Sequence, residues 1–199
     1  MVPKVESAGE VGIYADLLSE MGAASDLVIL VESCRGMTVL PALASASRRV
    51  QGLAFGAVDL STELGSRPTW ESLLFHRSAL AAAGGLAGRA LFDTPYLDIK
   101  DLAGLSGECR RVRDLGYTGK LCIHPSQVDV VNQAFQPSSD EIRRARAIVD
   151  AARSQGTGAI QVDGRMVDAP VVTAAERVVA LADQLGLDPE APTDKDETG

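Results

Sequence analysis

Short, almost purely apolar runs alternate along this chain with longer stretches of helical periodicity, and that alternation restricts the fold more than any other feature. Residues 27–31 read LVILV and residues 50–56 read VQGLAFG. Neither run switches between polar and apolar, as a strand with one wet face would. Both need cover on two sides, which a parallel sheet flanked by helices supplies. Five strand segments are expected, at 1–5, 27–31, 50–56, 90–93 and 120–123. Between them lie helical patterns at 9–21, 37–46, from Thr69 to about Gly84–Gly85, from Asp98 or Asp101 to a stop at Gly116, and at 126–135. Ser138 with Glu141 three residues on makes a capping box for a last long helix, to about Gln155. The spacing is that of repeated βα units.

The pattern changes after Gly156. The stretch GAIQVDGRMVDAP reads as a β-hairpin turning at Asp163–Gly164, followed by an amphipathic helix at 171–185. The end of the chain is polar and Pro-containing, the composition of a disordered tail. The expected organisation is a catalytic region at 1–156, a hairpin–helix appendage at 157–187 and a tail at 188–199.

Composition narrows the function. The 199 residues carry 19 Lys and Arg against 27 Asp and Glu, a net charge of −8. That balance argues against nucleic acid or anionic lipid as a partner, but a few local basic groups suffice for a small anion. Three cysteines in no CxxC spacing suggest neither a zinc site nor a disulfide framework. No apolar run reaches the ~18 residues of a membrane span. A cytoplasmic protein with reduced thiols is expected.

The chemistry is expected where strands end. In a parallel βα array the C-terminal ends of all strands share one face. Glu32 follows the first run immediately, and Asp59 lies three residues beyond Gly56. Two carboxylates brought together repel unless a cation neutralises them, and one or two carboxylates plus water suit Mg²⁺. The competing reading makes both acids helix caps or loop acids near positive helix ends. Asp93, before Thr94–Pro95, reads as a turn or cap. Arg35–Gly36 presents a guanidinium and backbone N–H groups to an anion, or is simply exposed. His124–Pro125 follows the last strand and either fixes its loop or meets a ligand. Cys34 and Cys122 read as small apolar fillers, and His76 as structural.

The ordered pieces VPKVES, VILVESCRG, LAFGAVDL, ALFDTPY and GKLCIHPSQ resemble the citrate lyase β-subunit-like CoA-ester lyases of the HpcH/HpaI aldolase group, over about residues 2–180. The resemblance implies a (β/α)8 TIM-type barrel, incomplete here at its N-terminus, with the equivalents of strands 4–8 present. It implies Mg²⁺ on Glu32 and Asp59. It implies that Asp168, in the M-x-D-x-P piece of the appendage, acts as acid/base over a neighbouring subunit's active site. Gly56, Arg35, His124 and Pro125 fall in segments that meet substrate or CoA.

The implied reaction is Mg²⁺-dependent carbon–carbon cleavage of a 3-hydroxyacyl-CoA ester of the citryl-, citramalyl- or malyl-CoA kind. The products would be acetyl-CoA or a homologue and a 2-oxo acid, made by a homo-oligomer, a trimer or hexamer. A CoA-independent pyruvate-type aldolase and a truncated, non-catalytic interaction subunit are the alternatives. Three units that precede the matched pieces in the family, one carrying an Arg for a substrate carboxylate, have no counterpart here. Five strands do not close an eight-stranded barrel.

Overall fold

The apolar runs form one parallel sheet, and its strand order is the order of the chain. In the computed structural model, which describes residues 1–155, 160–162 and 164–187, β1 (Leu27–Val31), β2 (Val50–Phe55), β3 (Ala90–Asp93) and β4 (Gly119–Lys120) pair successively in parallel. Val2 adds a parallel bridge on the free side of β1. A doubly wound sheet would reverse its order at a switch point. Sequential order with a helical crossover at each step is the arrangement of part of a (β/α) barrel.

The crossovers are α1 (Ala8–Glu20) before β1, then α2 (Cys34–Thr38) and α3 (Leu40–Ser45), then α4 (Ala57–Leu64) and α5 (Trp70–Ala87), and α6 (Leu102–Asp114). After β4 a 3-10 turn, Pro125–Gln127, leads into α7 (Val128–Phe135).

The two faces of the sheet differ. Ile29, Val31, Leu53 and Phe55 are completely buried, and a Cβ on Gly36 of α2 would press on Val31 at 3.2 Å. This is the helix-facing side. Leu91 shares it, since a Cβ on Gly84 of α5 would meet Leu91 at 2.5 Å. By alternation Val28, Leu30 and Phe92 face the other way, and all three are only half-buried. Burying a Leu or Phe is worth ~1.5–3 kcal/mol, so a one-residue slip of β2, exchanging its faces, is strongly disfavoured.

Several local expectations hold. Thr69 caps α5 through the Ser72 N–H, and Gly116 follows α6 with φ 95°. Others are corrected. Residues 1–5 pair only through Val2. The helix expected at 37–46 is two short helices, because Pro41 in the first turn of α3 has no N–H for a continuous ladder. Helix α5 runs through Gly84–Gly85 to Ala87, since packing against Leu91 compensates a weak helix former, and Gly88 ends it at φ 64°. The strand expected at 120–123 ends at Lys120, where Gln127 takes the Ile123 N–H instead.

The chain divides into two compact units, Met1–Phe135 and Gln136–Gly199. In the second, α8 (Ser139–Gln155) packs along α9 (Ala169–Leu185) through Ala145, Val149 and Ala175. The sequence reading assigned α8 to the first region; its contact with α9 sets the division after Phe135. The capping box forms, with Ser138 and Glu141 exchanging hydrogen bonds. β5 (Ile160–Val162) and β6 (Arg165–Val167) make the expected antiparallel hairpin, with Gly164 at φ 75°. Asp163 and the expected tail at 188–199 lie outside the described residues. Among those described, no helix is long and apolar enough to cross a membrane.

Candidate metal centre

Glu32 and Asp59 come together at the C-terminal ends of neighbouring strands. The ladder runs one step past β1, with the Gly56 N–H donating to the Val31 carbonyl at 2.9 Å. That pairing sets Glu32 beside Gly56. A Cβ on Gly56 would stand 2.3 Å from the Glu32 Cβ and 2.9 Å from its Oε2. Only glycine leaves this space, which gives Gly56 a steric role beside the predicted site. α4 starts at the next residue and carries Asp59 in its first turn. The two carboxyl groups are close enough to share a hydrogen bond.

Glu32 is 7% exposed, whereas Asp59 is exposed. Burial, the hydrogen bond with Asp59 and the Asp59 charge hold the Glu32 pKa above its ordinary 4.5. The Lys4 backbone N–H donates to Glu32 Oε1 at 3.0 Å and pulls the other way, as does the Lys4 charge. Lys4 is the one non-glycine residue with positive φ, 51°, among those described. Sequence reasoning missed it. A φ of this sign has no pattern in a strand-like VPKV.

Two carboxylates set side by side with little to neutralise them are a poor structural device and a good cation site. Among the described residues, no group of three or more His, Cys, Asp or Glu is placed to hold a metal. The donor set is two hard carboxylates open to water. That set fits Mg²⁺, which commonly takes one or two carboxylates and keeps several waters, and does not fit zinc, which wants four tight ligands rich in N and S.

Asp93 ends β3 as Glu32 follows β1, yet it is neither a turn residue nor a cap. It is completely buried on the helix-facing side. Arg77 Nε donates to it at 2.8 Å and Lys120 Nζ at 2.6 Å, and Lys120 also reaches Glu108 at 2.6 Å. The Arg77 guanidinium lies over the rings of Phe55 and Trp70.

The remaining predicted residues of the first unit lie in the segments after β1 and β4. The guanidinium of Arg35, in α2, is exposed, but the Gly36 N–H is already taken by Ser33 Oγ at 3.1 Å. The Cys34 N–H goes to Glu63. His124 is exposed and caps the Pro125–Gln127 turn, its Nδ1 accepting from the Ser126 N–H. Pro125 is exposed in the first turn. Gln127, unmarked by sequence, is fully buried and ties this loop to the one after β3 through the Tyr96 carbonyl at 2.8 Å. No cysteine offers a ready thiolate: burial raises Cys34 and Cys122, and pushes Cys109 up to about 11.

Asp168 belongs to the second unit. It caps α9, accepting from the Val171 N–H at 3.4 Å, a long bond, and its side chain is exposed.

Comparison with known proteins points one way. The family model for HpcH/HpaI aldolase/citrate lyase matches residues 1–125. Citrate lyase subunit beta of Leuconostoc mesenteroides subsp. cremoris is 33% identical over 193 residues, which are 91% of this chain and 64% of that protein. The (3S)-malyl-CoA thioesterase of Cereibacter sphaeroides is 34% identical over 197 residues, 93% of this chain and 65% of that protein. Among solved structures, CitE of Mycobacterium tuberculosis in complex with magnesium, acetoacetate and coenzyme A superposes with a TM-score of 0.77 at 35% identity. It covers 92% of this chain and 67% of that one. The chain thus spans just under two thirds of the length of these two relatives.

Proposed function

The chain belongs to the HpcH/HpaI aldolase/citrate lyase family, and from that premise we propose that it serves a Mg²⁺-dependent carbon–carbon lyase acting on a 3-hydroxyacyl-CoA ester. The products are acetyl-CoA or a homologue and a 2-oxo acid. The observation that carries this reading is the Glu32–Asp59 pair, for which Lys4 is the cation that offsets the repulsion on Glu32, in part, among the described residues. The magnesium, acetoacetate and coenzyme A named for the Mycobacterium tuberculosis relative support it.

Glu32 and Asp59 are the residues that would hold Mg²⁺. When bound, the ion supplies Lewis acidity toward an oxygen of the substrate. The protein's share is preorganisation. Lys4 orients Glu32 from its backbone, Gly56 makes room for it, and α4 presents Asp59. Cleavage turns the substrate hydroxyl into the 2-oxo carbonyl, its proton passing to water, and sends the electron pair of the broken carbon–carbon bond to the α-carbon of the thioester, where Asp168 of a neighbouring copy delivers a proton. Arg35 and the His124–Pro125 loop take the anionic parts of the substrate. The working form is a homo-oligomer, a trimer or hexamer, in the cytoplasm.

Titration of the purified chain with Mg²⁺ by calorimetry, beside turnover of citryl-, citramalyl- and malyl-CoA, tests the reading. Glu32→Ala and Asp59→Ala are expected to lose both Mg²⁺ binding and turnover. Asp168→Asn is expected to keep Mg²⁺ and lose turnover by ~10²–10⁴-fold. Mixing Glu32→Ala with Asp168→Asn protein is expected to restore part of the activity. Unchanged Mg²⁺ binding in Glu32→Ala sinks the metal site; turnover without measurable CoA affinity moves the chemistry to a CoA-independent aldolase.

A further inference from the structure

Helix α4 carries Asp59 but has no capping side chain of its own. The position before a helix is ordinarily filled by Ser, Thr, Asp or Asn, whose oxygen accepts from the unsatisfied N–H groups of the first turn. Here that position is Gly56, and the close approach of Glu32 forbids any side chain there. The requirement that makes room for one carboxylate leaves the helix holding the other without a cap.

Thr94 supplies an acceptor from the next strand. Its Oγ1 accepts from the Ala57 N–H, the first residue of α4, at 3.3 Å, across 37 residues of sequence. Thr94 and Ala57 are both buried, 6% and 4% exposed. A buried N–H left without an acceptor is disfavoured, so the hydroxyl fixes where α4 begins. Thr94 is itself held at a rigid point, directly after Asp93, which Arg77 and Lys120 clamp from two sides. Asp59 stands two residues past Ala57, in the same turn.

We infer that Thr94 is a positioning residue for Asp59: its hydroxyl anchors the start of α4 and so sets the Asp59 carboxylate against Glu32 for a divalent cation. This rests on the Mg²⁺ reading above. Thr94→Val keeps the shape and removes the acceptor; Thr94→Ser keeps the acceptor.

Two measurements on the whole chain test it. In Mg²⁺-free protein, hydrogen exchange at the Ala57 amide is expected to quicken about 5–10-fold in Thr94→Val, the size of a lost helix cap, and to stay parental in Thr94→Ser. By calorimetry, Mg²⁺ affinity is expected to fall about 5–10-fold in Thr94→Val for the same reason. In an Asp59→Asn background the same change is expected to have no further effect on residual affinity, because the two residues act as one unit. Parental exchange in Thr94→Val overturns the inference. So does a loss of affinity that persists undiminished without the Asp59 carboxylate. If the parent binds no Mg²⁺, the metal reading fails by itself, and the exchange result alone decides whether Thr94 anchors the helix. Thr94→Ala, expected to behave as the valine variant, replaces it if that protein does not fold.

Discussion

Glu32 and Asp93 stand at equivalent ends of two strands in one sheet, and the protein treats them in opposite ways. Asp93 faces the helices, is completely buried, and has two cations of its own, Arg77 and Lys120. Glu32 lies against Gly56 on the other side, beside a second carboxylate, with a backbone N–H and the Lys4 charge as partial relief. A buried acid already neutralised by the fold has nothing left for a ligand. A pair left under-neutralised is an appetite for a cation from outside. The lesson is that an acid at a strand end becomes a site only if the fold withholds its counterion.

The same isosteric change in each acid tests that contrast. Asp93→Asn leaves two buried cations short of their partner and is expected to cost about 3–5 kcal/mol, as for a broken buried pair, in guanidinium denaturation. Glu32→Gln in Mg²⁺-free protein is expected to cost nothing. Equal losses at the two positions would break the comparison.

A smaller effect is expected at Gly56. Alanine there collides with the Glu32 side chain, so Gly56→Ala is expected to destabilise by about 1–3 kcal/mol, the usual range for overpacking. Mg²⁺ affinity should fall with it, since Glu32 must move.

The pH dependence sharpens the picture further. The folded state holds the Glu32 proton more tightly than the unfolded chain does. Its stabilising share is therefore present in full below the ordinary 4.5 and is lost as pH rises through the raised value. Without Mg²⁺, parent and Glu32→Gln are expected to match in acid. The glutamine variant should pull ahead as pH rises toward neutral. Thermal melts across pH check this, and Mg²⁺ should close the gap from the parent's side by binding the carboxylates.

The smallest effect belongs to Lys4. Glycine relieves its positive φ and keeps the N–H on Glu32, so Lys4→Gly is expected to stabilise by about 0.5–1 kcal/mol. Mg²⁺ affinity, read by the same calorimetry, is expected to change by no more than a few-fold.

The Glu32–Asp59 pair was legible because both acids break apolar runs, and a parallel array brings the ends of such runs together. The fate of Asp93 was not. Its partners sit on a helix 16 residues before it and on a strand 27 residues after it, and no local pattern ties them. Lys4 and Thr94 were silent for the same reason: each acts through one long-range hydrogen bond. Gly84–Gly85 misled, because helix propensity counts glycine as a stop while the packed helix uses Gly84 as a seat for Leu91.

The sequence by itself determined the class of fold, the three central strands and the juxtaposition of the two acids, since hydrophobic period and chain direction are local properties. Tertiary structure alone decided which acids are neutralised, why Gly56 is glycine and what holds the start of α4. Those depend on which side of the sheet a side chain takes and on groups far apart in the chain. Charge and space at a point are sums over neighbours that only folding assembles.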